Sequence, residues 1–199
     1  MELQALGANT VKISTKKTTI LVNDSSSDKS FIKDGDIVLF SNKTKDSGNK
    51  KSRLFISTGG EYEVADVLIV GIPAFPYVEE SDHKLSSTIY KLVSDDTSLV
   101  IAGDISPELT DSQIEDIGHT DVLILSVGGN GKAPDAAQAL KIIKKVDPYI
   151  VIPVNYNNDL EEIIKILGLE TLETTAKYKL KSTNFVEGQS TKLVILEKS

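Results

Sequence analysis

Short apolar runs separated by polar, glycine-bearing turns dominate the first half of this chain, and the runs have strand length. Strands are predicted at Glu2–Leu6, Val11–Ser14 and Thr18–Val22, the last two joined at Lys16-Lys17. The pattern continues at Ile37–Phe40, Leu54–Ser57, Glu61–Val64 and Val67–Val70, with connections such as "DSGNKK" and "STGG". Thr88–Val93 reads as a strand that alternates outward and inward, and Leu99–Ala102 is a further apolar run. The second half changes style. A strand at 121–125 leads through Gly128-Gly129-Asn130-Gly131 into a helix over 134–145, with Pro134 in its first turn and Lys144 and Lys145 in its last. A strand at 149–152 precedes a helix from Asp159 to Leu167 that stops at Gly168, and strands at Tyr178–Lys181 and Lys192–Leu196 close the chain. Mixed strands in front and strand–helix–strand units behind predict an α/β (α+β) protein: two sheets covered by helices.

The 199 residues suffice for one sizeable core, and a single domain over 1–199 is expected. The longest apolar stretches, "VLIVGIPAF" and "DVLILSVGG", are too short to span a bilayer as helices. The opening "MELQALGANT" has neither a basic start nor a long apolar run, so a cytoplasmic protein is expected, with no membrane partner. Without cysteine, disulfides and thiolate metal sites are excluded. A net charge of −7 makes a nucleic-acid partner unlikely. Lys43, Lys45, Lys50, Lys51 and Arg53 form the local exception, a basic loop that reads either as a solvated surface or as an anion patch.

Several familiar motifs fail. Gly131-Lys132 is followed by Ala133, and Ser126 stands where a P-loop needs its first glycine; the dinucleotide spacing breaks at Pro134. There is no Gly-x-Ser-x-Gly elbow around Ser126. The two histidines, His83 in "ESDHKLSS" and His119 in "DIGHTDVL", each read as surface residues just before a strand.

Seven segments in order, "MELQALGANTVKI" with "TTILVND", "DIVLFSNKTKDSGN", "GEYEVADVLIVGIPAF", "SSTIYKLV", "IAGDI", "DVLILSVGGNG" and "YIVIPVNY", resemble the metallo-β-lactamase superfamily, specifically its small metal-dependent hydrolases. The resemblance covers residues 1–156 and implies a four-layer αββα sandwich with a metal site on loops at one edge of the sheets. The family's His-x-His-x-Asp-His motif falls on Asn42, Thr44, Asp46 and Ser47, so only the aspartate is kept. The family's early Gly-His falls on Gly7-Ala8, and a histidine after "GIPAF" falls on Pro76. The bridging aspartate falls on Asp104, which is kept, and the histidine at the strand-end "IP-x-His-Tyr" falls on Asn155. No register restores the set, because the chain holds only two histidines.

The resemblance therefore implies a vestigial metal site. Zinc in such sites is gripped by neutral imidazoles at about 2.0–2.1 Å, whereas amides, hydroxyls and two carboxylates are hard oxygen donors that would hold Mg²⁺ or Ca²⁺ weakly. Two functions stay open. One is a pseudoenzyme without zinc or catalytic residues that binds a small ligand or a protein partner, with a scaffold for an active paralogue as a variant of it. The other is a hydrolase that works through a hard cation on Asp46 and Asp104, or without metal. An emptied site is expected to be knit by Asn–Asp hydrogen bonds, with a lysine such as Lys43 or Lys45, or a water, in the metal's place.

Overall fold

The computed structural model describes residues 1–7, 9–23, 33, 36–42, 52–78, 84–128, 131–156, 160–180, 185 and 188–197. In chain order the elements begin with β1 (Glu2–Ala5), β2 (Val11–Ser14), β3 (Thr19–Val22), β4 (Ile37–Leu39) and β5 (Leu54–Ile56). The strands β6 (Gly60–Val64), β7 (Val67–Ala74), β8 (Ser87–Ser94) and β9 (Thr97–Ala102) follow. Next come α1 (Asp111–Ile117), β10 (Val122–Ser126), α2 (Ala136–Val146), β11 (Ile150–Val154) and α3 (Leu160–Leu167). The chain closes with β12 (Glu170–Thr175), β13 (Tyr178–Lys179) and β14 (Lys192–Leu196).

The strands form two sheets. The first runs in the order β13-β1-β2-β3-β4-β5, the second β12-β14-β11-β10-β9-β8-β7-β6. In the second sheet β6 to β9 pair antiparallel, while β9, β10, β11, β14 and β12 run parallel. Parallel neighbours joined by helices bury both faces, which is why "VLILS" and "IVIPV" are almost uninterrupted apolar runs. Along β10 the faces separate cleanly. Val122 and Ile124 enter the core between the sheets, and Leu123 and Leu125 enter the core beneath the helices. The same division explains β8: Tyr90 and Leu92 face the first core and Ile89 the second, so its expected alternation is between two cores and not between core and solvent.

All three helices pack on the outer face of the second sheet, through residues such as Ile117, Ile142, Ile143 and Ile163. Across the molecule, Leu21 and Val38 project from the other face of the first sheet and are buried against Leu6, Phe40 and Phe55. The fourth layer of the expected sandwich, a helix over that face, is not found among the described residues.

Most predicted strands are present within a few residues, but four corrections follow from local chemistry. Helix α1 went unpredicted, although "TDSQ" spells its capping box: Thr110 Oγ1 accepts from the Gln113 backbone N–H, and Gln113 Oε1 accepts from Thr110 N. Strand β12 was also missed. Its sequence "ETLETT" is polar because it is an exposed edge whose pairing with β14 supplies the order. Pro134 lies before α2 instead of inside it, since Asp135 is the N-cap and accepts from Gln138 N at 2.8 Å. Lastly, β7 runs on to Ala74, four residues beyond its predicted end at Val70, because it pairs with β8 as far as Ser87.

Candidate functional site

The site begins with topology. Strands β9, β10 and β11 are parallel and in register, so their C-terminal ends share one edge of the second sheet. Ligands of open parallel sheets collect outside that edge, where the chain leaves each strand. Gly103-Asp104 follows β9, Ser126 is the last residue of β10, and Asn155 follows β11. The first sheet brings its own turns to the same edge. Asn23 follows β3, and Ser41-Asn42 come just after β4, with Thr88 N donating to the Ser41 carbonyl at 2.6 Å.

Three side chains close a triangle. Ser126 Oγ donates to Asp104 Oδ1 at 2.6 Å, and Asn155 Nδ2 lies 3.3 Å from the same oxygen and 3.2 Å from Ser126 Oγ. Ser126 is wholly buried, and a buried hydroxyl must find a partner. The short distance is that of a hydrogen bond to a carboxylate. Asn155 holds its amide there from a left-handed backbone (φ 58°). Its carbonyl leaves no room for a side chain at position 128: a Cβ on Gly128 would stand 2.4 Å from it. Gly103 is constrained likewise, with a Cβ meeting Ser41 Cβ and Oγ at 2.8 Å, so a glycine lets the two sheets' turns touch.

A second network runs beside the first. Ser41 N donates to Asn23 Oδ1 at 2.8 Å, Asn23 Nδ2 lies 3.3 Å from Ser41 Oγ, and Thr10 Oγ1 donates to the Asn23 carbonyl. Ser87 Oγ donates to Asn42 Oδ1 at 2.8 Å. Behind these turns the fully buried Tyr90 shares its hydroxyl hydrogen between the carbonyls of Phe40 and Ile56, tying β8 to the first sheet. Burial pushes the Tyr90 phenol well above its ordinary pKa, so it stays a donor.

In front of Asp104 lies a cavity of about 300 Å³ lined by Asn42, Pro76, Val78, Ser86, Ser87, Asp104 and Lys132. Pro76 is fixed there by a bridge to Ile105, and Tyr77 N donates to the Asp104 carbonyl.

The structure thus brings together Asn42, Asp104 and Asn155 from the sequence-predicted set, with Pro76 on the cavity wall. Gly7 sits in the turn between β1 and β2 at the same edge. Thr44, Asp46 and Ser47 lie outside the described residues, as do Ala8, His83 and the lysines 43, 45, 50 and 51. Arg53 is elsewhere: its N–H donates to the Asp36 carbonyl at the start of β4, the opposite end of that strand from Asn42. His119 is also remote, just before β10 begins. Ser126, Ser87 and Lys132 were missed as site residues. A polar residue ending an apolar strand, as Ser126 does in "DVLILS", was the available signal for the first.

The sequence profile of the beta-lactamase superfamily domain matches residues 2–155. The chain belongs to the metallo-β-lactamase superfamily. Among solved members of the superfamily, one from Thermotoga maritima, assigned to its Zn-dependent hydrolases, superposes with a TM-score of 0.76 at 18% identity, over 100% of this chain and 99% of the other. A protein from Parabacteroides distasonis assigned to the metal-dependent hydrolases gives 0.70 at 16% identity, covering 99% and 93%. The metallo-β-lactamase fold protein YhfI from Bacillus subtilis gives 0.61 at 9%, covering 100% and 97%. At such identities the likeness is one of fold. No curated protein matches by sequence. No helix among the described residues is long and apolar enough to cross a membrane.

Zinc, the metal of many superfamily sites, needs imidazole, thiolate or several carboxylates. Among the described residues no three histidine, aspartate or glutamate side chains are grouped to hold a metal. Among the described residues Asp104 is the one carboxylate lining the cavity, its Oδ1 is occupied by Ser126 and Asn155, and the positive charge of Lys132 on the same lining disfavours a cation. The described residues of the site do not fit a zinc ion.

Proposed function

We propose that this superfamily member is a metal-independent, non-hydrolytic binding module whose cavity takes a small polar ligand. The observation that carries the reading is the Asp104–Ser126–Asn155 triangle, in which hydrogen bonds to hydroxyl and amide stand where the superfamily directs a carboxylate at metal. A metal hydroxide supplies both nucleophile and Lewis acid in such enzymes, and these residues offer no replacement for either. Ser126 is too deeply buried to attack a substrate. Kinship with metal-dependent hydrolases supports the fold and the place of the site, and the donor chemistry supports the loss of the reaction.

Elemental analysis after dialysis tests the metal, and hydrolysis of a chromogenic phosphodiester and a chromogenic β-lactam tests the reaction, with Zn²⁺, Mg²⁺ or Ca²⁺ supplied. Substoichiometric zinc and no turnover above background are expected. Turnover with Mg²⁺ or Ca²⁺ that vanishes in Asp104→Ala would establish the hard-cation hydrolase instead.

A further inference from the structure

The charges on the cavity specify its ligand more closely than "small and polar". Asp104 and Lys132 both line it, and the side-chain partners of Asp104 among the described residues are Ser126 and Asn155. Asp104 spends only Oδ1 inside the protein; its Oδ2 has no partner among the described residues. Asn42 is oriented by Ser87, which donates to Oδ1, so the amide nitrogen is left as a donor beside the cavity. Ser86 adds a hydroxyl to the lining. Besides Ser87, the rest of the lining among the described residues is apolar, Pro76 and Val78, and Val78 is 54% exposed. Phe75 and Leu85, the chain neighbours of the lining residues Pro76 and Ser86, are 41% and 52% exposed.

Each simple ligand meets an objection. A bare anion would pair with Lys132 but confront the Asp104 carboxylate, and a bare cation would meet the reverse. A neutral apolar molecule would leave both charges desolvated without a partner. A ligand with separated opposite charges satisfies both walls. Resting on the metal-independent reading of this same site, we propose that the cavity binds a small aliphatic zwitterion of the amino-acid class. Its ammonium is held by Asp104, its carboxylate by Lys132 and the Asn42 amide, and its hydrocarbon part by Pro76 and Val78. The cavity volume, at the small end of ligand sites, suits a molecule of that size.

The test is calorimetric titration of the chelator-treated full chain with L-leucine, with 3-methylbutylamine, which lacks the carboxylate, and with 4-methylpentanoate, which lacks the amine. Glycine, L-valine, γ-aminobutyrate and glycine betaine complete the panel. At least one zwitterion should bind with a Kd below about 1 mM. Removing either charge from leucine should weaken binding by about tenfold or more, since each loss strands a charge on the wall. Lys132→Met should weaken the zwitterion but not the amine; Asp104→Asn should weaken the zwitterion but not the acid. No binding by any zwitterion, or an amine or acid that binds as tightly as its parent, overturns the proposal. The wild-type comparison decides this even if a variant misfolds. Zinc content measured on the same preparation separates this failure from failure of the metal-independent reading: a zinc-free protein that ignores every zwitterion refutes only the ligand class.

Discussion

Strands β9 and β10 carry a hydrogen-bonded aspartate at each end, and the two aspartates use different chemistry. At the N-terminal end, Asp121 is buried, accepts from Ser98 N at 2.7 Å through Oδ2, and meets His119 Nε2 at 3.0 Å through Oδ1. Both of its oxygens are engaged, and Ser98 Oγ adds a bond to the His119 carbonyl. His119 itself is 68% exposed and lies edge-on to Tyr149. At the C-terminal end, Asp104 is tied through one oxygen to side chains alone and faces a cavity. The lesson is that the aspartate beside a histidine is a structural pin here, whereas the end that faces the cavity contains no histidine among the described residues. Location relative to strand direction, not residue type, separates the two.

Breaking the pin should have the largest effect. Asp121→Ala leaves the Ser98 N–H buried and unsatisfied, and a loss of about 3 kcal/mol is expected in denaturant unfolding. A loss below about 1 kcal/mol would show that Asp121 pins nothing. Next, Ser126→Ala removes the donor closest to Asp104 and should cost about 1–2 kcal/mol, read in the same way. Asp104→Asn keeps an acceptor oxygen for both Ser126 and Asn155, so its cost should stay below about 1 kcal/mol. Alongside it, chelator treatment should leave the wild-type Tm unchanged; a drop of several degrees would mean that a bound ion stabilises the fold. His119→Ala should be the mildest, within about 0.5 kcal/mol, because an exposed partner of a carboxylate contributes little.

Asp104 and Asn155 are legible in the chain because each follows an apolar run, and Asn155 does contact Asp104 as an Asn–Asp bond was expected to. The cation is a different matter. Lys43 and Lys45, the sequence neighbours of the vestigial motif, lie outside the described residues, and the lysine on the described cavity wall is Lys132, from the turn after β10. Sequence distance does not reveal Lys132 at such an edge, because turns from both sheets meet there. Helix α1 is the opposite case: its capping box was written in Thr110 and Gln113 and was passed over for want of a long apolar period.

By itself, then, the sequence determined the strand runs, the two helices with strong periodicity, the absence of cysteine and the lack of a histidine set, all of which depend on local pattern or on simple counting. Only the tertiary structure decided that Ser126 and Asn155 share one oxygen of Asp104, that Gly103 lets Ser41 approach, and that Lys132 faces the same cavity as Asn42. Those contacts join residues 22 to 90 positions apart, and no local preference encodes them. They follow from parallel strands ending in register at one edge, where turns from both sheets converge and a buried hydroxyl such as that of Ser126 must find a partner within the protein.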